Sequence, residues 1–310
     1  MSFVLACDTP ILLDTHALPV QNAADVLRRD LRRCLKETGG QQALALARDA
    51  SLPEEDYRLC VGDGTATLRY GGDLGAVYGL YAISERFLGI APLADWNGLP
   101  PPVSPRQEIP AGTYESPKRA VRLRGWFVND EHALLGWHHR EGEDNSIKAE
   151  DWAEIFETIC RMRGNFYTLI EYGQTPDSAS LRLASDRGLY VTGSHMHMLV
   201  ANTSYAFDPG PHTWTWDAFC EKTYGKRYPY SWMTQREKML RFWEEEGVKR
   251  HKDHLAIWTV GLKGANDTDF HENDSAAPRS VVERARLTNE AIRLQTQIVE
   301  RNLPGTEPLY

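Results

Sequence analysis

The pattern of apolar and polar residues along the chain changes near residue 115. In the first part, β-like runs are separated by two stretches with apolar residues on helical faces. The predicted elements are a strand at the start, a β-like run at residues 11–13, a helix at 23–35, strands at 44–47, 57–61 and 65–70, and a helix at 75–87. A proline-rich stretch at residues 100–105 reads as a linker. This order predicts a small α/β domain over residues 1–115.

After the linker, predicted strands and helices alternate strictly. The strands are predicted at residues 121–128, 166–170, 189–191 and 255–260, and the helices at 151–163, 181–187, 235–249 and 280–301. Four consecutive βα units predict a parallel sheet, and the leading fold is a TIM-type (β/α)8 barrel. We therefore expect residues 116–310 to form about the first half of such a barrel.

Polar side chains follow the ends of all four predicted strands. They are Asn129, Asp130, Glu131, Glu171, His195, His197 and Lys263. In α/β barrels this end of the strands carries the active site. Glycoside hydrolysis needs two carboxyl groups, and the candidates are Asp130, Glu131, Glu171 and Asp267. Nearby aromatic residues, including Trp126, Trp216 and Trp258, are candidate surfaces for stacking on a sugar.

Two other chemistries have partial signals. His195 and His197 form an H-x-H pair, and in a strand they would share one face, as ligands of a zinc-dependent hydrolase do. No second cluster of histidines follows another strand, so the residues favour no metal site. The glycine-rich residues 71–75 open a helix, but they lack the spacing of a phosphate-binding loop and read as turn glycines.

Composition excludes several classes of protein. The chain has 310 residues, 42% of them hydrophobic, and a net charge of −8, which fits a globular protein and does not favour binding to nucleic acid. It contains no apolar run of the ~18 residues that a membrane span needs. Its five cysteines form no C-x-x-C motif, and the start lacks a basic signal region, so we expect a reduced, cytoplasmic location.

Several segments match, in order, the motifs of one known family. Residues 71–81 and then Trp96 match the end of its first domain, and residues 124–131, with the sequence RGWFVNDE, match its first barrel strand. Residues 193–195 and 258–264 match the ends of its third and fourth strands. On these residues the chain resembles glycoside hydrolase family 115, the xylan α-glucuronidases.

The resemblance implies inverting removal of (4-O-methyl-)glucuronic acid, α-1,2-linked to xylose, from glucuronoxylan or aldouronic oligosaccharides, without a cofactor. It implies that Asp267 matches a family carboxylate, and that Lys263 stands where the family has an arginine that binds the substrate carboxylate. The residues expected to contact substrate are Asn129, Asp130, His195, His197, Lys263 and Trp96.

Family members are longer than this chain, and their general acid follows the fifth strand. We therefore expect a truncated form with an incomplete catalytic set, which a C-terminal half or a second copy of the chain would complete. Two alternatives stay open: a non-catalytic carbohydrate-binding protein or fragment, and a metal-dependent hydrolase that uses His195 and His197. The residues alone do not decide whether the chain is itself an active enzyme.

Overall fold

A computed structural model describes residues 2–40, 42–127, 149–168, 179–201, 215–264, 268–272 and 274–310. The chain divides into two compact units. Unit 1 comprises residues 1–126, 147–166 and 183–189, and unit 2 comprises 127–146, 167–182 and 190–310. Unit 1 therefore includes short segments from beyond the boundary predicted near residue 115.

Unit 1 contains the predicted α/β elements and two strands that were not predicted. They are β1 (Phe3–Leu5), β2 (Ile11–Leu12), α1 (Leu18–Cys34), β3 (Leu44–Arg48), β4 (Tyr57–Gly62), β5 (Thr65–Tyr70), α2 (Asp73–Leu88), β6 (Gln107–Ile109) and β7 (Gly112–Glu115). The main sheet has the order β2-β3-β5-β4-β7, and β1 pairs with β6. The two strands that were not predicted are β6 and β7, which lie after the predicted linker. Through them the chain returns to both sheets of this unit.

The glycines at the start of α2 allow close packing. A Cβ added to Gly71 would lie 2.0 Å from the carbonyl oxygen of Pro53, and one added to Gly75 would lie 2.4 Å from that of Asp56. Further along, a Cβ at Gly79 would lie 2.6 Å from Leu68 of β5. Carbonyl oxygens therefore lie against the glycine-rich segment, and their partial negative charge would disfavour an anion there. This supports the interpretation of these residues as turn and packing glycines.

A buried ion network joins α1 to α3 (Ala149–Arg161) within unit 1. Arg161 donates from Nη2 to Asp30 at 2.6 Å and from Nε to Glu157 at 2.8 Å. Arg29 also donates to Glu157, at 2.7 Å. Although burial raises it, the two arginines hold the pKa of Glu157 below its usual range. Each of the fully buried charges thus has a partner of opposite sign.

Arg124 is the first residue of the RGWFVNDE motif, and its side chain is bound to other groups of the protein. Its guanidinium donates to Glu55 at 2.6 Å and to the carbonyl oxygen of Arg163 at 2.8 Å. The buried Asn165 accepts from the Arg124 backbone N–H at 2.8 Å and donates to Glu55 at 2.8 Å. Arg124 therefore fixes the chain at the start of the next strand, β8 (Gly125–Phe127), which begins later than the predicted residue 121.

The second sheet follows the order of the chain. Its strands are β8, β9 (Phe166–Thr168), β10 (Tyr190–Thr192) and β11 (Ala256–Ile257), and the sheet order is β11-β10-β9-β8. β10 and β11 are parallel. Leu309 forms a parallel bridge with Ile257, and its carbonyl oxygen accepts from the Trp258 N–H at 2.8 Å. A fifth segment thus adds to the sheet beside β11.

Helices separate these strands. They are α3, α4 (Ala179–Ser185), α5 (Trp216–Tyr224), α6 (Trp232–Phe242), which continues through a π-helical stretch (Trp243–Val248) into α7 (Lys249–His251), and α8 (Val281–Asn302). α5 was not predicted. In the described residues, no helix has the length and apolar character needed to cross a bilayer.

Candidate active site

Five of the nine predicted site residues lie outside the described residues. They are Asn129, Asp130, Glu131, Glu171 and Asp267. Their roles therefore stay predictions. The structure describes His195, His197 and Lys263, which lie in unit 2, and Trp96, which lies in unit 1.

The two histidines that follow β10 lie in a turn and not in the strand. His195 is exposed, whereas His197 is buried, and the Ser194 hydroxyl lies 3.3 Å from His197 Nδ1. Because one histidine is exposed and the other is buried, the two side chains do not share a face, although the H-x-H spacing would predict a shared face for a strand. In the described part of the chain, no group of three or more His, Cys, Asp and Glu side chains could hold a metal ion. Substrate contact by His197 stays a prediction that its burial does not favour.

The same loop continues into two residues with left-handed backbone. Leu199 has a φ of 52° and Val200 a φ of 63°, and both side chains are buried. This conformation is uncommon for bulky residues, and each such residue costs roughly 1–3 kcal/mol. The Leu199 carbonyl oxygen packs against the π-helical stretch, where a Cβ added to Gly247 would meet it at 2.5 Å. Strained backbone of this kind clusters at functional sites, so it supports a functional role for the loop.

Thr259 joins the loop after β10 to the segment after β11. Its hydroxyl donates to the Gly193 carbonyl oxygen at 3.0 Å and lies 3.1 Å from the Thr192 hydroxyl. Its carbonyl oxygen accepts from the Leu199 N–H at 2.7 Å. Three hydrogen bonds therefore hold the two strand ends in one arrangement.

Two residues further on, Gly261 pairs with a side chain of α8. Its N–H donates to Gln295 Oε1 at 2.8 Å, and its carbonyl oxygen accepts from Gln295 Nε2 at 2.8 Å. Gln295 is fully buried. Neither Gln295 nor Thr259 was among the predicted site residues. Thr259 lies in the motif segment 258–264, but its contacts, like those of Gln295, depend on the fold.

Lys263 is half-buried in the loop that follows. Its Nζ lies 3.6 Å from the Asp269 carboxylate, and the Gly264 N–H donates to the Thr268 carbonyl oxygen at 3.0 Å. A lysine ammonium at a strand end offers a point positive charge to an anionic ligand. Asp269 is a carboxylate with which such a ligand would compete.

The candidate sugar-stacking residues differ in exposure. Trp216 and Trp258 are each 2% exposed and belong to the core, so they do not offer a face to a ligand, contrary to the prediction. Trp126 and Trp96 are both half-buried, and their rings meet edge to face with 5.7 Å between centroids. Contact of Trp96 with a sugar stays a prediction.

Comparison with known proteins identifies related sequences and folds. Residues 116–307 match the family model described as glycosyl hydrolase family 115. Among solved structures, the GH115 4-O-methyl-α-glucuronidase BtGH115A, described as specific for decorated arabinogalactans, matches with a TM-score of 0.74 and 20% identity over 97% of this chain. The match spans 41% of the BtGH115A chain. No curated protein sequence matches.

Weaker structural matches lie in another glycosidase family. The GH20 exo-β-N-acetylglucosaminidase of Vibrio harveyi has a TM-score of 0.41 at 10% identity, covering 62% of this chain and 33% of its own. The GH20 chitobiase of Flavobacterium johnsoniae has a TM-score of 0.41 at 12% identity, covering 62% of this chain and 32% of its own.

Proposed function

Because the chain belongs to glycosyl hydrolase family 115, we propose that it forms part of an α-glucuronidase that releases (4-O-methyl-)glucuronic acid by inverting hydrolysis. The observation that carries the proposal is the family match over residues 116–307, which includes every strand end with a predicted site residue. The fold of BtGH115A supports it.

The second sheet is the first half of a (β/α)8 barrel in this proposal. Its strands follow chain order, β10 and β11 are parallel, and helices lie between successive strands in the sequence. The parallel bridge from Leu309 to Ile257 supports a fifth strand in the position that a barrel requires. The remaining strands would come from a C-terminal half or, as the alternative, from a second copy of the chain.

The site residues have separate roles. Asp267 is the proposed general base, and Asp130, Glu131 and Glu171 are the other carboxyl candidates at the strand ends. Asn129 and His195 would donate hydrogen bonds to the uronic acid, and Lys263 would bind its carboxylate. His195 is exposed and His197 is buried, so the pair does not offer two metal ligands on one face, and the second candidate is non-catalytic binding of the same sugar.

Two polysaccharides are candidate sources of the uronic acid. Glucuronoxylan is the substrate that the family resemblance implies, and BtGH115A is described as specific for decorated arabinogalactans. An α-glucuronidase would release glucuronic acid from either source, so the shared chemistry is a terminal glucuronic acid with an ionised carboxylate. Oligosaccharides from each polysaccharide distinguish the two sources.

Calorimetry of glucuronate and glucose binding to the 310-residue protein tests the proposal. We expect tighter binding of glucuronate, with an advantage that falls as salt rises. Lys263→Met should weaken glucuronate binding by about tenfold, the order of a hydrogen bond to a charged group. Lys252→Met removes an exposed lysine of the same unit and should have no effect. Equal affinity for the two sugars would contradict the proposal.

The catalytic part of the proposal needs a second measurement. Release of glucuronic acid from aldouronic oligosaccharides should require the carboxyl groups at the strand ends. Binding of glucuronate without any release, in the presence of a co-expressed C-terminal half, would favour the non-catalytic alternative. The cytoplasmic location stays a prediction.

A further inference from the structure

Gln295 occupies a helix position where an apolar residue is expected. It lies on the buried face of α8 with Ala291, Ile298 and Val299, and its side chain is fully buried. Burying an amide is unfavourable unless its polar atoms are hydrogen-bonded. Both polar atoms of this amide form hydrogen bonds with one residue, Gly261, each at 2.8 Å as described above.

Gly261 lies beyond the point where strand pairing provides hydrogen-bond partners for the backbone. The pairing of β10 with β11 ends at Ile257, and Trp258 pairs with Leu309. Gly261 has a φ of 155°, and a Cβ added there would lie 3.3 Å from the Met198 sulfur. The Gln295 amide therefore takes the place of a neighbouring strand, donating and accepting as a peptide group would.

The Gly261 backbone lies between two functional segments. On one side, Thr259 binds the loop that carries His195 through the Gly193 carbonyl oxygen. On the other, Lys263 follows Gly261 by two residues. Fixing the peptide groups of Gly261 thus restricts the direction in which the chain leaves β11.

We propose that Gln295 is a positioning residue that fixes the loop of Lys263 for uronate binding, an inference that rests on the function proposed above. A single charge recognises a carboxylate well only when its loop is already in place, because ordering that loop on binding would reduce the affinity. Gln295 does not touch the ligand in this proposal. It acts through Gly261.

Two substitutions separate this role from packing. Gln295→Met keeps the side-chain length but leaves both polar groups of Gly261 without their partner. Gln295→Glu keeps the shape, and its effect depends on protonation. A neutral carboxylic acid both donates and accepts, so it restores the pair, whereas the ionised form cannot donate to the Gly261 carbonyl oxygen. Gln297→Met, at an exposed position of the same helix, is the matched control.

We expect Gln295→Met to weaken glucuronate binding by about tenfold or more, the order expected from a misplaced binding group. In Gln295→Glu, affinity relative to wild type should fall as the pH rises and the introduced carboxyl ionises, because burial raises the pKa of a carboxyl and only its neutral form donates to the Gly261 carbonyl oxygen. Normalising to wild type and to Gln297→Met removes the pH effects that the three proteins share.

Hydrogen exchange of the 258–264 segment gives a readout that needs no ligand. The Gly261 amide should exchange faster in Gln295→Met, while circular dichroism and the melting temperature confirm that the chain is folded. If Gln295→Met folds poorly, the pH-dependent recovery in Gln295→Glu still tests the proposal. Wild-type affinity in folded Gln295→Met, or wild-type affinity in Gln295→Glu after its carboxyl has ionised, overturns the inference and leaves the proposed function intact. Failure of the folded wild-type protein to bind glucuronate overturns both.

Discussion

Asp30 and Arg161 form a buried ion pair, with 2.6 Å between the Asp30 carboxylate and Arg161 Nη2. The Asp30 side chain is 0% exposed and that of Arg161 is 4% exposed. The Arg161 guanidinium also lies 5.0 Å from the centre of the Tyr81 ring. Because α1, α2 and α3 each supply one of these residues, the pair fixes how the three helices of unit 1 pack.

Removing one member of this pair should destabilise the protein strongly. Asp30→Ala leaves a buried guanidinium short of one partner, and we expect a loss of about 3–5 kcal/mol in the free energy of unfolding. Urea titration of the 310-residue protein measures it. The exposed pair of Asp25 and Arg28 is the control, and Asp25→Ala should leave the melting temperature unchanged. Equal effects of the two substitutions would show that the buried pair has no special role.

Acid should destabilise unit 2 through His251. This residue is 2% exposed, and Nε2 has no hydrogen-bond partner among the described residues. Burial, with the nearby His254 and Arg250, lowers the pKa of His251 from 6.5 to about 3. A histidine with a lowered pKa in the folded protein binds a proton more tightly in the unfolded chain. Protonation therefore favours unfolding. The contribution of His251 to stability is complete above pH 6.5 and is lost as the pH falls toward 3.

The size of the effect follows from the pKa difference. Between neutral pH and about pH 5, His251 should account for a loss of about 2 kcal/mol. His251→Leu should flatten the dependence of the urea midpoint on pH over this range, and His16→Gln, at an exposed histidine, should leave it unchanged. The same slope in wild type and His251→Leu would assign the acid sensitivity to other groups.

The elements that local sequence determines were predicted well. α1 and α8 have regular apolar spacing, and β4 and β5 have alternating burial joined by a tight turn at residues 63–64. α5 was missed, although Trp216, Phe219 and Cys220 have helical spacing and Thr215 caps its first turn. The predicted first barrel strand began too early because residues before Gly125 are bound to Glu55 and Asn165, contacts that no local pattern reveals.

The candidate site was predicted only in part for the same reason. The family motifs lead to Lys263 and His195 because those residues stand in the motif segments themselves. Gln295 lies 34 residues from Gly261, and Thr259 lies 66 residues from Gly193. A glutamine on an otherwise apolar helix face was the one available signal, and it is weak without the partner.

Asp130 is the strand-end acid with the clearest motif. We expect Asp130→Ala to reduce kcat/KM for release of glucuronic acid from aldouronic oligosaccharides by at least ~10²-fold in the active enzyme, the order expected of a positioned acid–base group. Asp253→Asn, at an exposed position, should retain wild-type activity. A near wild-type kcat/KM in Asp130→Ala would remove this residue from the site.

Asp269 should limit uronate binding by competing for Lys263. The two charged groups are 3.6 Å apart, and the Asp269 side chain is 59% exposed, so the pair itself adds little to stability. Asp269→Asn should therefore leave the melting temperature unchanged and strengthen glucuronate binding by about twofold to fivefold, since the ligand carboxylate no longer displaces a carboxylate of the protein. Glucose binding, measured by the same calorimetry, should not change. In the double variant with Lys263→Met the gain should vanish, because the effect acts through the Lys263 charge. A gain that persists without Lys263 would mean that Asp269 acts through general repulsion of the uronate.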